Sequence, residues 1–209
     1  MKKKIHILDC GFGNIESVKN ALDYLEINNE IINHLDSKKN ISHLILPGVG
    51  NFKQCMIKLK KKELIYSISN YVQKEKKLLG ICVGMQLMFD NGDEGGGYEG
   101  IKLFKGSCKK LETSQNFPLP QIGFNNVKKP SSPMWNDINE NSNFYFVHEY
   151  GIPINYIKEN PSSKFGVTSY KNYFISYIEN KNCNVIGAQF HPEKSQLSVL
   201  KFLKNFSKL

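Results

Sequence analysis

Leu78-Leu79-Gly80-Ile81-Cys82-Val83-Gly84-Met85-Gln86-Leu87 is an apolar stretch interrupted by Gly-x-Cys-x-Gly. It predicts a strand over 77–82 that turns at once into a helix over 85–89, which is the cysteine form of a nucleophile elbow. A side chain on so sharp a turn points out of the sheet. The flanking glycines carry no Cβ to obstruct the tight backbone. Cys82 is therefore the candidate nucleophile, and the rest of the chain is read outward from it.

Upstream, Ile5–Leu8 reads as a first strand rather than a leader segment, because an acidic residue follows a short apolar run. Ile15 to Leu25 carries apolar residues at 15, 18, 21, 22 and 25, which is helical spacing. Residues 30–35 and 42–46 read as strands, and 52–72 as largely helical with a lysine-rich outer face. Strands alternating with helices across Gly-rich turns predict an open, mostly parallel twisted sheet flanked by helices. Downstream, strands are expected at 101–104, 107–112, 120–128, 144–148, 165–170, 173–179 and 184–190. They have few helices between them, so an antiparallel extension is expected in the C-terminal half. A closing helix is expected at 195–206. The 209 residues fit a single domain spanning 1–209.

Composition excludes several classes. All 28 basic residues are lysine, and the net charge is +9. A nucleic-acid reader is expected to use arginine forks, so the lysines read as solvated faces and nucleic acid is not an expected partner. No apolar run reaches the ~20 residues of a membrane span. The five cysteines, 10, 55, 82, 108 and 183, are odd in number and none form CxxC, which argues against a disulfide framework or a zinc ribbon and for the cytoplasm. Gly11-Phe12-Gly13 continues to Glu16 and so fails the dinucleotide pattern, and no metal-ligand pattern appears. No metal and no cofactor is expected.

A thiol nucleophile needs a base. Val185-Ile186-Gly187-Ala188-Gln189-Phe190-His191-Pro192-Glu193 ends a late strand in His-Pro-Glu. His191 is the candidate acid/base. Glu193, two residues on past a proline, is the candidate that orients it. His6 and His43 lie within predicted strands and His34 near the end of one, so they compete less well, and His148 is either structural or lines the pocket. An acyl-transfer site also needs oxyanion donors. The Val83 N–H is one, and Val49 or Gly50 of Pro47-Gly48-Val49-Gly50 offers a second.

Gly80-Ile81-Cys82-Val83-Gly84-Met85-Gln86 together with Phe190-His191-Pro192-Glu193 resembles the class I (triad) glutamine amidotransferases. Asp9-Cys10-Gly11-Phe12-Gly13-Asn14-Ile15, the 46–52 segment, 144–148 and His191-Pro192-Glu193-Lys194-Ser195 are similar, within that family, to the glutaminase subunits of imidazole glycerol phosphate synthase. The resemblance implies that Cys82 attacks the side-chain amide of glutamine, that His191 protonates the departing ammonia, and that the thioester is hydrolysed to glutamate. It implies that Gly50, Gln86, Glu94, His148 and Tyr150 contact glutamine. It further implies that Asn14 and Lys194 face a (β/α)₈-barrel synthase as heterodimer partner, which receives the ammonia directly in histidine biosynthesis. The chain departs from the family at Cys10, at Gln121, Ile122 and Phe124, and at Glu149. The departures at 121, 122, 124 and 149 motivate a rival reading, a paralogous subunit feeding a related barrel that amidates a surface-polysaccharide sugar. A catalytically inactive binding or regulatory module is the rival from another class.

Overall fold

The computed structural model describes residues 3–35 and 40–209, so Met1 and Lys2 of the basic N-terminal stretch lie outside the described residues. The strand β1 (Ile5–Leu8), the helix α1 (Ile15–Tyr24), and the strands β2 (Asn29–Ile32) and β3 (His43–Leu46) follow the predicted order. β1 and β3 are buried at every position, as strands covered on both faces must be. Asn14 caps α1, its side chain accepting from the Ser17 N–H.

The stretch 52–72 is largely helical as expected, and it is divided into two helices, α2 (Phe52–Lys61) and α3 (Leu64–Gln73). The chain breaks between them at Glu63, which sits in the left-handed region at φ 56°. Apolar periodicity runs through such a break without registering it. β4 (Lys77–Ile81) then leads into α4, and α4 is only Val83–Gln86. The expected helix over 85–89 is thus displaced, because Phe89 already opens β5 (Phe89–Gly92). A short apolar run does not distinguish a buried strand from a helical turn. Residues 101–103 of the expected strand 101–104 are likewise not in a strand. Ile101 and Leu103 donate their backbone N–H groups to the carbonyls of Leu87 and Met88, which covers the turn out of α4. Strand β6 (Tyr98–Glu99) precedes them and β7 (Phe104–Lys110) follows.

The remaining strands are β8 (Gln121–Asn126), β9 (Asn143–His148), β10 (Tyr150–Pro153), β11 (Lys164–Ser169), β12 (Tyr173–Glu179) and β13 (Val185–Ala188), and α5 (Leu197–Lys208) closes the chain. The main sheet runs β2-β1-β3-β4-β13-β12-β10-β7-β5-β6, with β11 on β12. Its first five strands pair in parallel. From β12 onward the pairing is antiparallel apart from β5 on β7. The mostly parallel core and its antiparallel extension are thus as expected. β8 and β9 form a separate antiparallel hairpin.

That hairpin alternates with period two. Phe144, Phe146 and His148 turn inward and are buried. Phe144 and Phe146 join a cluster of rings with Trp135, Phe190 and Phe202. Ile122 and Phe124, on the opposite face, are 64% and 55% exposed. Ile122 pairs with Val147, and Phe124 lies edge-on to Tyr145 across the strand.

Candidate active site

Three neighbouring parallel strands deliver the site. β4 lies between β3 and β13, with Gly80 opposite Leu46 and Ile81 opposite Ala188. At the carboxyl ends of β3, β4 and β13 the chain continues into Pro47–Gly50, Cys82 and the Gln189–Glu193 segment respectively. This is the edge at which doubly wound sheets form their clefts.

Cys82 has φ 53° and ψ −113°, an unusual conformation for a residue with a side chain. Such strain costs about 1–3 kcal/mol and persists only where neighbours hold it. The neighbours are visible. The Cys82 N–H donates to the Ala188 carbonyl at 2.7 Å, while its own carbonyl accepts from Met85 and Gln86. Gly84 packs directly on the end of β3, where an ideal Cβ would lie 2.0 Å from the Leu46 carbonyl oxygen. Glycine is required there by contact rather than by dihedral.

His191 follows β13 and is anchored to β9, its N–H donating to the Tyr145 carbonyl at 2.9 Å. Its Nδ1–H donates to Glu193 Oε1 at 2.7 Å, with both side chains 1% exposed. Nε2 makes no complete hydrogen bond. Burial works against a charge on this imidazole, but the Cys82 sulfur and then Glu193 overcome it, and His191 is pushed up to about 10. Proton-carrying imidazole beside the sulfur is the state a leaving amine requires.

His148 is the opposite case. Burial, aided by the nearby charge of His191 and opposed by the Tyr150 carbonyl, pushes it down to about 4. Its Nδ1–H donates to that carbonyl at 2.8 Å. The neutral ring therefore presents Nε2 as a buried acceptor without a partner. The two histidines of the cavity are thus shifted in opposite directions, His191 up and His148 down.

Cys82 and His191 open onto one cavity of about 180 Å³. Val49, Gly50, Val83, Gln86, Glu94, His148 and Tyr150 line it too, so every expected substrate and oxyanion residue meets there. Glu193 stands behind His191. Glu94 is held above the ordinary carboxylate range by burial first, and Glu149, another lining residue, adds to the effect. Asn14 and Lys194 are not among the residues that line the cavity; α1, which Asn14 caps, packs on the Pro192–Lys194 turn.

Two positioning residues went unread in the sequence. Gln189 is fully buried, and its Nε2 donates to the Cys82 sulfur at 3.7 Å. Its Oε1 accepts from Gln86 Nε2 at 3.0 Å, and that amide also donates to the Tyr150 carbonyl. A chain of amides thus ends at the sulfur. Ser195 Oγ donates to the His191 carbonyl at 2.7 Å and accepts from the Tyr145 N–H at 3.0 Å, closing a clamp around the histidine. Both residues stand inside or beside the His-Pro-Glu segment, but only the fold reveals what they touch.

Comparison with known proteins agrees with this arrangement. The family model described as glutamine amidotransferase class-I matches residues 6–208. The imidazole glycerol phosphate synthase subunit HisH of Caldanaerobacter subterraneus subsp. tengcongensis is 38% identical over 207 residues, covering 98% of each chain. The subunit HisH 1 of Campylobacter jejuni subsp. jejuni is 35% identical, over 98% of this chain and 100% of its own. Among solved structures, a glutamine amidotransferase superposes with a TM-score of 0.71 at 13% identity, covering 98% of this chain and 99% of that one. PurLQS from Thermotoga maritima gives 0.69 at 16%, covering 100% and 99%. These two likenesses establish the fold. The family match over nearly the whole chain goes further: this chain belongs to the class-I glutamine amidotransferases.

Proposed function

We propose that this chain is the glutaminase subunit of an imidazole glycerol phosphate synthase, a single domain over 1–209 that acts in the cytoplasm on the path to histidine. The observation that carries the reading is the meeting of Cys82 and His191 in one cavity, from the ends of two hydrogen-bonded strands, with Glu193 2.7 Å behind the imidazole.

The chemistry follows from the roles. The Cys82 sulfur attacks the side-chain amide carbon of glutamine. The oxyanion is met by the Val83 N–H and by a second donor from Val49 or Gly50. As the carbon–nitrogen bond breaks, His191 gives its proton to the departing ammonia. Water, activated by the now neutral imidazole, then cleaves the thioester to glutamate and restores Cys82. Gln86, Glu94, His148 and Tyr150 hold the amino-acid end of the substrate.

Free ammonia becomes ammonium in water and ceases to be a nucleophile, so it has to pass directly to its acceptor. The residues we assign to contact with the barrel synthase are Asn14, Lys194 and the outward apolar side of the β8–β9 hairpin. Exposed Ile122 and Phe124 near the cavity mouth, beside lining residues Pro120 and Val147, suit a partner surface. The relatives named above carry the synthase-subunit name, and the surface-polysaccharide alternative draws no support from them. For the cytoplasm, support comes from these biosynthetic relatives. Among the described residues no helix is long and apolar enough to cross a membrane.

The test is glutamate formation from glutamine by the purified chain, alone and with the barrel subunit. Stimulation by the barrel and its imidazole-precursor ligand is expected. Stimulation only by a sugar-amidating barrel would overturn the pathway assignment and leave the chemistry intact.

A further inference from the structure

Glu94 lines the cavity beside Cys82, yet its carboxylate already serves the protein. Oε2 accepts from the Phe52 backbone N–H at 2.6 Å. Phe52 is the first residue of α2, so this N–H is one of the donors that the start of a helix leaves without an internal partner. A carboxylate at that position is also favoured by the helix dipole.

The junction is rigid on the other side as well. The Phe52 ring is fully buried against Gly92, where an ideal Cβ would lie 2.6 Å from the ring. Glu94 stands two residues beyond Gly92 and reaches back to the helix start. Only Asn51 separates Phe52 from Gly50, and its Oδ1 is occupied in accepting from the Gln54 N–H. The Pro47–Gly50 loop therefore has two moorings. Gly48 is pressed on Gly84 at one end, and Glu94 holds Phe52 just past the other.

We infer that Glu94 is a positioning residue for the oxyanion loop in addition to being the contact for the substrate's α-ammonium. Its carboxylate accepts the Phe52 N–H and the ammonium together, as a carboxylate's four lone-pair sites allow. Substrate recognition and placement of the second oxyanion donor then share one side chain. The inference rests on the proposed reading of Glu94 as the ammonium contact, and the experiment separates the two.

Steady-state kinetics of the heterodimer are compared for glutamine and for glutaramate, the same amide without the α-amino group. Glu94→Gln keeps an oxygen for Phe52 but loses the charge. It is expected to raise KM for glutamine towards that of glutaramate while lowering kcat by less than about threefold. Glu94→Ala removes the mooring too and is expected to lower kcat by about tenfold or more on both substrates, given what one oxyanion donor is worth. Glu94→Asp, which retains charge but is one methylene short, is expected to follow the alanine variant in kcat and stands in for it should that protein not fold. Equal kcat for wild type, Gln and Ala on glutaramate would overturn the mooring. A wild type that does not discriminate glutamine from glutaramate would overturn the ammonium contact alone, with the mooring still judged by the Gln–Ala difference in kcat.

Discussion

An ideal Cβ on Gly48 would stand 2.2 Å from the backbone nitrogen of Gly84. The loop and the turn proposed to supply the two oxyanion donors are in backbone contact, and neither glycine has room for a methyl group. Gly48→Ala is therefore expected to push the loop off the elbow. Loss of one oxyanion donor costs about 10²–10³ in kcat, and a fall of that order is expected with KM changed far less. Steady-state kinetics with a far-ultraviolet spectrum as folding control check it.

Cys82 and, after it, Glu193 raise His191 and so set a pH dependence. An imidazole raised to about 10 keeps its proton through neutral pH and loses it as pH climbs past that value. The alkaline fall in kcat is accordingly expected near 10 rather than near the ordinary imidazole range. That limb belongs to the Cys82–His191 pair rather than to either group alone. Glu193→Gln removes one of the influences that raise His191 and is expected to shift the limb to lower pH, with a smaller loss of turnover than His191→Ala. A pH–rate profile of each variant reads both effects.

Ser195 is expected to matter without touching substrate. Ser195→Ala opens the clamp between the His191 carbonyl and the Tyr145 N–H. A loss of up to about thirtyfold in kcat is expected, since each such hydrogen bond is worth about 1 kcal/mol and two that hold His191 are broken. KM is expected to hold, and Ser195→Thr, which keeps the hydroxyl, is expected to restore most of the rate.

The outward face of the β8–β9 hairpin is expected to carry partner affinity. Ile122→Asp or Phe124→Asp should weaken binding of the barrel by about tenfold or more, as removal of a buried apolar anchor typically costs ~1–2 kcal/mol or above. Lys194→Glu should weaken binding or coupling without affecting the fold. Titration of labelled barrel subunit measures all three. The unstimulated glutaminase rate separates the Asp variants from damage to the site.

Much of this was legible from residue order alone. Gly-x-Cys-x-Gly and His-Pro-Glu each mark a strand end, and a parallel sheet brings strand ends to one edge, so the meeting of Cys82 and His191 in one cavity was to be expected from the sequence. Ile5–Leu8 and Tyr173–Glu179 were read with their observed bounds, because each is bordered by turn residues. The helix break at Glu63 was not legible, since a single left-handed residue leaves the apolar period unbroken. The strand at Phe89 was hidden for a related reason: its pairing with Phe104 is a tertiary fact. Gln189 and Ser195 escaped because their roles lie in partners far along the chain, 107 and 50 residues away. Glu94 was identified by resemblance as a substrate contact, yet its bond to Phe52, 42 residues away, has no local signature.

The nucleophile itself is open to a direct measurement. The chain carries five thiols, and Cys10, Cys55 and Cys108 are buried with their thiols pushed up by that burial. Incubation with a glutamine-shaped chloroketone, followed by peptide mass mapping, is expected to place a single adduct on Cys82, to be blocked by excess glutamine and to disappear in Cys82→Ser. An adduct on any other cysteine, or labelling of Cys82 that glutamine does not slow, would contradict the assignment of this cavity as a glutaminase site.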